Sequence, residues 1–302
     1  MDKVKDIKDY FTHALKSKKF TTDKTGVKTI ELINACFEAD EPYIIREPNK
    51  DYIKRELDWY ESQSLMVQDI PGETPAIWKS VASNLGVINS NYGYLTYSSD
   101  NWSQYNEVLK ELNNNPDSRR ANMIYTRPSI WQDYKVDGMS DFICTNNVQY
   151  FIRDDYLITS VYMRSNDAVF GYNNDLAWQT HIRDKLLADL DKHYDAGPIY
   201  WNVGSLHVYE RHFKVIESLL KNYITGKYVQ TELEEEPDDY RTGNWEMPAQ
   251  NMIHAGTEHQ KNEPYEVLEP KSVFDLKQQI IDEECKLEYI IQVKQHSHGY
   301  LG

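Results

Sequence analysis

The stretch "VQYFIRDDYLITSVYMRS", residues 148 to 165, limits the fold more than any other part of the chain. Two apolar, β-branched and aromatic runs flank Asp154-Asp155, a pair that suits a tight turn, so the stretch predicts a β-hairpin. Beyond it, "LAWQTHIRDKLLADLDKHY" sets Leu176, Ile182, Leu186, Leu187 and Leu190 at helical spacing, and "PIYWNVGSLHVY" returns to a strand. A hairpin, a helix and a further strand thus follow one another in the middle of the chain.

The rest of the chain fits that frame. Helical periodicity is predicted over 4–19, 52–62 and 103–113, with Ser103 as the cap of the third helix, and "RHFKVIESLLKNYI" predicts a helix near 211–224. "IELINACF", "YIIRE", "NMIYTRPSIW" and "DFICTNN" read as strands, and "PGETP" and "NSNYGY" as turns. No internal repeat interrupts the pattern. Residues 232–270 are acidic, aperiodic and dotted with Pro and Gly, the composition of a long surface loop; residues 271–302 regain an apolar pattern and are expected to pack back.

Charge and cysteine content exclude some functions. A net charge of −15 argues against direct nucleic-acid binding, which needs clustered Lys and Arg. No segment reaches the ~20 apolar residues of a membrane span, and the N-terminal helix lacks the apolar core of a secretory signal, so a cytoplasmic protein is expected. Cys36, Cys144 and Cys285 have neither disulfide nor metal-like spacing, so no metal is expected. The 23 Tyr and 7 Trp supply many rings able to stack on a flat ligand.

Taken singly, the candidate site residues stay ambiguous. Cys144 is either a buried filler or a thiolate nucleophile. Arg119, Arg120 and the pair Arg164-Ser165 suit a phosphate monoester, or ordinary surface ion pairs. His207 and Tyr209 alternate onto one strand face, where a pocket role and simple packing are both open. Glu56 is a tuned acid or a helix-surface carboxylate, and Asp175, placed just before a helix, reads first as its cap.

The order of motifs carries more information than any one of them. "DKTGVKT" (23–29), "RELDWY" (55–60), "NYG" (91–93), "NPDSRR" (115–120), Cys144, "RSND" (164–167) with Gly171, and "GSLHVY" (204–209) resemble the thymidylate synthase family. "DIPGETP", "INSNYG", "MIYTRPS", "DGMSDF" and "WNVGSLHVY" resemble the branch of that family that hydroxymethylates a cytosine nucleotide. The resemblance implies one catalytic domain over 1–302 of class α+β, with a large mixed sheet and flanking helices, a homodimer with sheets packed back to back, and 5,10-methylenetetrahydrofolate as co-substrate. It implies Cys144 as the nucleophile on C6 of the pyrimidine, and Arg164 and Ser165 on the phosphate. Arg119 and Arg120 would reach the phosphate in the partner's site, and Lys24 stands where the synthases use an arginine. It further implies His207 and Tyr209 on the sugar, Tyr92 in proton removal from C5, Glu56 in ordering water and protons, and Asp167 and Trp78 beside the folate. Thr145 replaces the histidine that follows the family's cysteine.

At Asp175, eleven residues after Arg164, the synthases carry asparagine. An amide matches the acceptor at O4 and the donor at N3 of uracil, whereas a carboxyl group matches the amino group and bare N3 of cytosine. The implied reaction is transfer of a one-carbon unit to C5 of dCMP with addition of water, giving 5-hydroxymethyl-dCMP and tetrahydrofolate. A C5-methylase acting on dUMP or dCMP, a non-catalytic nucleotide- or RNA-binding module, and a structural subunit of an assembly with other nucleotide-synthesis enzymes remain open alternatives on residues alone.

Overall fold

The predicted hairpin is present. In the computed structural model, which describes residues 1–225, strands over Thr145–Arg153 and Tyr156–Asp167 pair antiparallel. Asp154 and Asp155 both adopt positive φ, 51° and 63°, as the central residues of a type I′ turn require.

In chain order the elements begin with β1 (Asp2–Lys3), α1 (Val4–Lys16), β2 (Thr21–Thr22), β3 (Lys28–Glu38), α2 (Lys50–Ser62) and α3 (Ala76–Val81). Next come α4 (Tyr92–Tyr97), α5 (Gln104–Asn114), β4 (Asn122–Ile124) and α6 (Ile130–Asp133). The hairpin strands are β5 and β6, followed by α7 (Gly171–Asp189), β7 (Asp195–Tyr209) and α8 (Phe213–Thr225).

The strands form one mixed sheet in the order β1-β3-β7-β6-β5-β4, with β2 paired to β3. The β6 and β7 strands run parallel with α7 crossing between them, while β3/β7, β5/β6 and β4/β5 are antiparallel. Parallel neighbours need such a crossover, which is why the helix of 171–189 separates the two long strands. Helix α7 lies on the sheet through Tyr172, whose ring centroid is 5.9 Å from Phe37 and 5.4 Å from Trp201. Val4, Ile7, Phe11 and Ala14 on α1 and Tyr105, Val108 and Leu112 on α5 supply further stripes of the same core.

Several local expectations are corrected. "YIIRE" is a loop: Pro42 and Pro48 bracket it, and Ile44 and Ile45 are adjacent and both buried, which a strand with one covered face does not allow. Only Asn122–Ile124 of "NMIYTRPSIW" pairs in the sheet. Of "DFICTNN" only the "TNN" part lies in β5, so Cys144 sits just before the strand. Ser103 occupies the N-cap position of α5 with φ 45° and makes no side-chain capping bond. Asparagines cap elsewhere: Asn49 Oδ1 accepts from Tyr52 N at 3.0 Å and Asn91 Oδ1 from Tyr94 N at 2.8 Å. The expected acidic loop of 232–270, the C-terminal segment 271–302 and Cys285 lie outside the described residues.

Candidate active site

Cys144 is held from two sides. Arg164 on β6 donates its backbone N–H to the Cys144 carbonyl at 2.9 Å. Its guanidinium donates to the carbonyls of Ile143 (3.0 Å) and Phe142 (2.5 Å) and reaches the thiol sulfur at 3.5 Å. Burial pushes the thiol up to about 11; Arg164 acts against that rise, and Asp175 and Asp141 add to it. The loop before Cys144 is fixed by buried Asp141, which accepts from the backbone N–H groups of Asn89 and Ser90 and from the Ser90 hydroxyl, each at 2.7 Å. "DGMSDF" and "INSNYG", distant in sequence, are thereby tied together beside the thiol.

The residue after the nucleophile opens a polar chain. Thr145, fully buried, donates to the Tyr92 hydroxyl at 2.9 Å, and Tyr92 stands beside the Asp175 carboxyl. Asp175 Oδ2 also accepts from Asn166 Nδ2 at 2.7 Å, and Asn166 Oδ1 accepts from Trp201 Nε1 at 3.2 Å. Asp175 is the fifth residue of α7, so it does not cap that helix. Asp167 serves the helix start instead, accepting from Phe170 N at 3.1 Å and Val169 N at 3.3 Å. Two glycines give the network room. A Cβ on Gly171 would lie 3.2 Å from Asn166 Nδ2, and one on Gly93 would lie 1.7 Å from the Tyr60 carbonyl, where α4 meets α2.

Glu56 is not the surface carboxylate its helix allowed. It is 4% exposed, and its Oε1 accepts from the Tyr52 hydroxyl at 2.6 Å and from Trp78 Nε1 at 3.2 Å. Burial raises its pKa to about 7, the two hydrogen bonds opposing the rise. Burial likewise raises Asp175 to about 8, with the Glu56 charge adding to it. Two carboxyl groups that titrate near neutrality can hold or pass protons at physiological pH.

At the ends of β6 and β7, Asp167 stands opposite His207 in register, and the His207 and Tyr209 rings meet edge to face at 4.9 Å. Burial raises the Tyr209 phenol, and the Asp167 charge raises it further, so the two side chains share one environment. Ser165, half-buried, faces Ser205 in the same register.

The structure thus brings together Cys144, Arg164, Tyr92, Asp175, Glu56 and Trp78, with Asp167, His207 and Tyr209 at the adjoining strand ends. Three predicted residues stay apart. Lys24 is exposed in the turn between β2 and β3. Arg119 and Arg120 are exposed between α5 and β4; Arg120 pairs with Glu111 at 3.1 Å, and Gln149 donates to the Arg119 carbonyl. Sequence reading left Asn166 without a role and noted Thr145 only as a replacement; neither has a signal stronger than its place beside a motif residue. Among the described residues no group of three or more His, Cys, Asp or Glu side chains could hold a metal, and no helix is long and apolar enough to cross a membrane.

Comparison with known proteins agrees with this geometry. The sequence profile of the thymidylate synthase family matches residues 5–251. The chain is 58% identical over 219 residues to a deoxycytidylate 5-hydroxymethyltransferase of Enterobacteria phage T4, a match that spans 71% of this chain and 89% of the phage protein. It is 27% identical over 174 residues to a thymidylate synthase of Bacillus licheniformis, covering 55% and 60% of the two chains. In three dimensions it superposes on thermostable thymidylate synthase A from Bacillus subtilis with a TM-score of 0.54 at 21% identity, over 71% of this chain and 83% of the other.

Proposed function

The chain belongs to the thymidylate synthase family, and from that membership we propose that it converts dCMP to 5-hydroxymethyl-dCMP, the deoxycytidylate 5-hydroxymethyltransferase activity. The observation that carries the choice of base is Asp175, a carboxyl group hydrogen-bonded to Asn166 and set beside Tyr92 in the cleft that holds Cys144.

Enzymes of this family use methylenetetrahydrofolate as co-substrate. A flat heterocycle with N–H edges fits what Glu56, Tyr52 and Trp78 offer, namely a carboxyl group that titrates near 7 between a phenol and an indole. When bound there, with Asp167 as a further partner, the co-substrate supplies the carbon at the oxidation level of formaldehyde. The chain's own residues do the rest. The Cys144 thiolate, favoured by Arg164, adds to C6 of the cytosine and makes C5 nucleophilic. Asp175 accepts a hydrogen from the amino group and stabilises a proton on N3 as charge builds in the ring. The Tyr92 phenol, joined to Thr145 and beside Asp175, takes part in removing the proton from C5. With tetrahydrofolate departed as the leaving group and the C5 proton lost, Glu56 holds the water that adds to the exocyclic methylene left on C5, and elimination of Cys144 from C6 releases the hydroxymethyl product. His207 and Tyr209 bind the sugar, and Arg164 with Ser165 binds the phosphate.

Incubation with dCMP, methylenetetrahydrofolate and buffer should yield a nucleotide heavier than dCMP by one CH₂O unit, without growth of dihydrofolate absorbance. A product heavier by only CH₂, with dihydrofolate formed, would make the chain a methylase.

The active form is a homodimer. Cys36, Asn202, Tyr162 and Asn147 lie side by side across β3, β7, β6 and β5 on the face away from α7, and Cys36 and Tyr162 are exposed. This face supports a back-to-back partner, toward whose site Arg119 and Arg120 would extend. Light scattering should return twice the chain mass, and Tyr162→Asp should lower it to a single chain; an unsubstituted protein that scatters as a monomer refutes the dimer.

A further inference from the structure

We propose that Asn166, oriented by Trp201, is a positioning residue that fixes the donor and acceptor polarity of Asp175 and so sharpens its preference for a cytosine edge. An indole N–H only donates, so the Trp201 Nε1 bond at 3.2 Å identifies the facing Asn166 atom as the amide oxygen. The amide nitrogen must then be the atom 2.7 Å from Asp175 Oδ2, and it too only donates. Asp175 Oδ2 is therefore held as an acceptor, and a proton on the carboxyl group resides on Oδ1. Asn166 is 4% exposed and Trp201 fully buried, so neither amide nor indole can turn away to water.

The consequence concerns selectivity. A carboxylic acid free to carry its proton on either oxygen matches cytosine in one form and uracil in the other, because exchanging the proton exchanges donor and acceptor. Trp201 and Asn166 leave one form favoured. The inference rests on the proposed base reading at Asp175, in which the fixed form is the one that meets cytosine. Asn166 touches no reacting atom and acts through Asp175 alone.

Asn166→Ala and Trp201→Phe, assayed with dCMP and dUMP, test this. Loss of the amide donor should lower the dCMP to dUMP ratio of kcat/KM about tenfold. Because the Asn166 bond holds the Asp175 pKa down, the pH limb belonging to Asp175 should also move to higher pH. Trp201→Phe should shift both quantities in the same direction by less. In the unsubstituted protein the Asn166 side-chain amide resonance should titrate with the Asp175 midpoint, a readout that needs no variant to fold. Equal loss of both activities with ratio and pH limb unchanged, or an amide resonance that does not titrate, would overturn the inference. An unsubstituted protein inactive on dCMP would instead defeat the proposed function.

Discussion

Asp175→Asn is expected to turn the enzyme from dCMP toward dUMP. The amide presents an N–H where cytosine offers its amino group, and a carbonyl or N–H pair that suits O4 and N3 of uracil. Each mismatched buried contact costs on the order of 1–2 kcal/mol, so two of them lower kcat/KM for dCMP roughly 30- to 700-fold. Turnover of dUMP should rise in the same variant. An unaltered ratio of kcat/KM for the two nucleotides would remove Asp175 from base recognition. The same substitution should make the unliganded protein more stable in alkali. Burial raises the folded-state pKa from 3.8 to about 8, so the folded chain carries a proton the unfolded chain has lost between these limits. The associated stability is fully present below pH 4 and is lost as pH rises through 8. An asparagine cannot ionise, so the variant should melt above the parent at pH 9 and the margin should shrink toward pH 5. For a body of this size ~1 kcal/mol corresponds to about 2–4 °C in Tm, within reach of an ordinary thermal melt. Base recognition and fold stability thus pull against each other at this residue.

Cys144→Ser is expected to abolish turnover of dCMP, by about four orders of magnitude or more, because no other described side chain in the cleft is placed to attack C6. A serine hydroxyl is a far weaker acid than a thiol, and Arg164 at 3.5 Å is too modest an aid to ionise it. Since the thiol itself is raised to about 11 in the unliganded cleft, the parent should gain rate as pH increases through neutrality, and slow alkylation of Cys144 by iodoacetamide should accelerate in parallel. Product formation by the serine variant at the parental rate would exclude covalent addition. The variant should still fold, since Cys144 is only half-buried and the Arg164 bonds to the Phe142 and Ile143 carbonyls do not depend on its sulfur.

What could be foreseen differed from element to element. The β5–β6 hairpin was legible because two adjacent aspartates and alternating apolar residues leave a short chain few other ways to satisfy its backbone. "YIIRE" misled because apolar composition alone does not tell a strand from a buried loop, and the flanking prolines were the better guide. At Asp175 the base-reading role is an expectation carried by the motif order, while its place in the helix was misjudged: α7 begins at Gly171, before any apolar period is visible.

The sequence by itself determined the family, because that rests on ordered short motifs, and the succession of strands and helices, because period-two and period-3.6 patterns are local in the chain; the same motifs named the candidate chemistry-bearing residues. The tertiary structure alone decided how those residues are tuned. Glu56 became a group that titrates near 7 only when α2 buried it against Trp78, twenty-two residues away. Asn166 acquired a purpose only when β7 brought Trp201 to its amide and α7 brought Asp175 to the other end. Proton affinity and hydrogen-bond polarity are set by desolvation and by neighbours distant in sequence, and neither is written in any single stretch of residues.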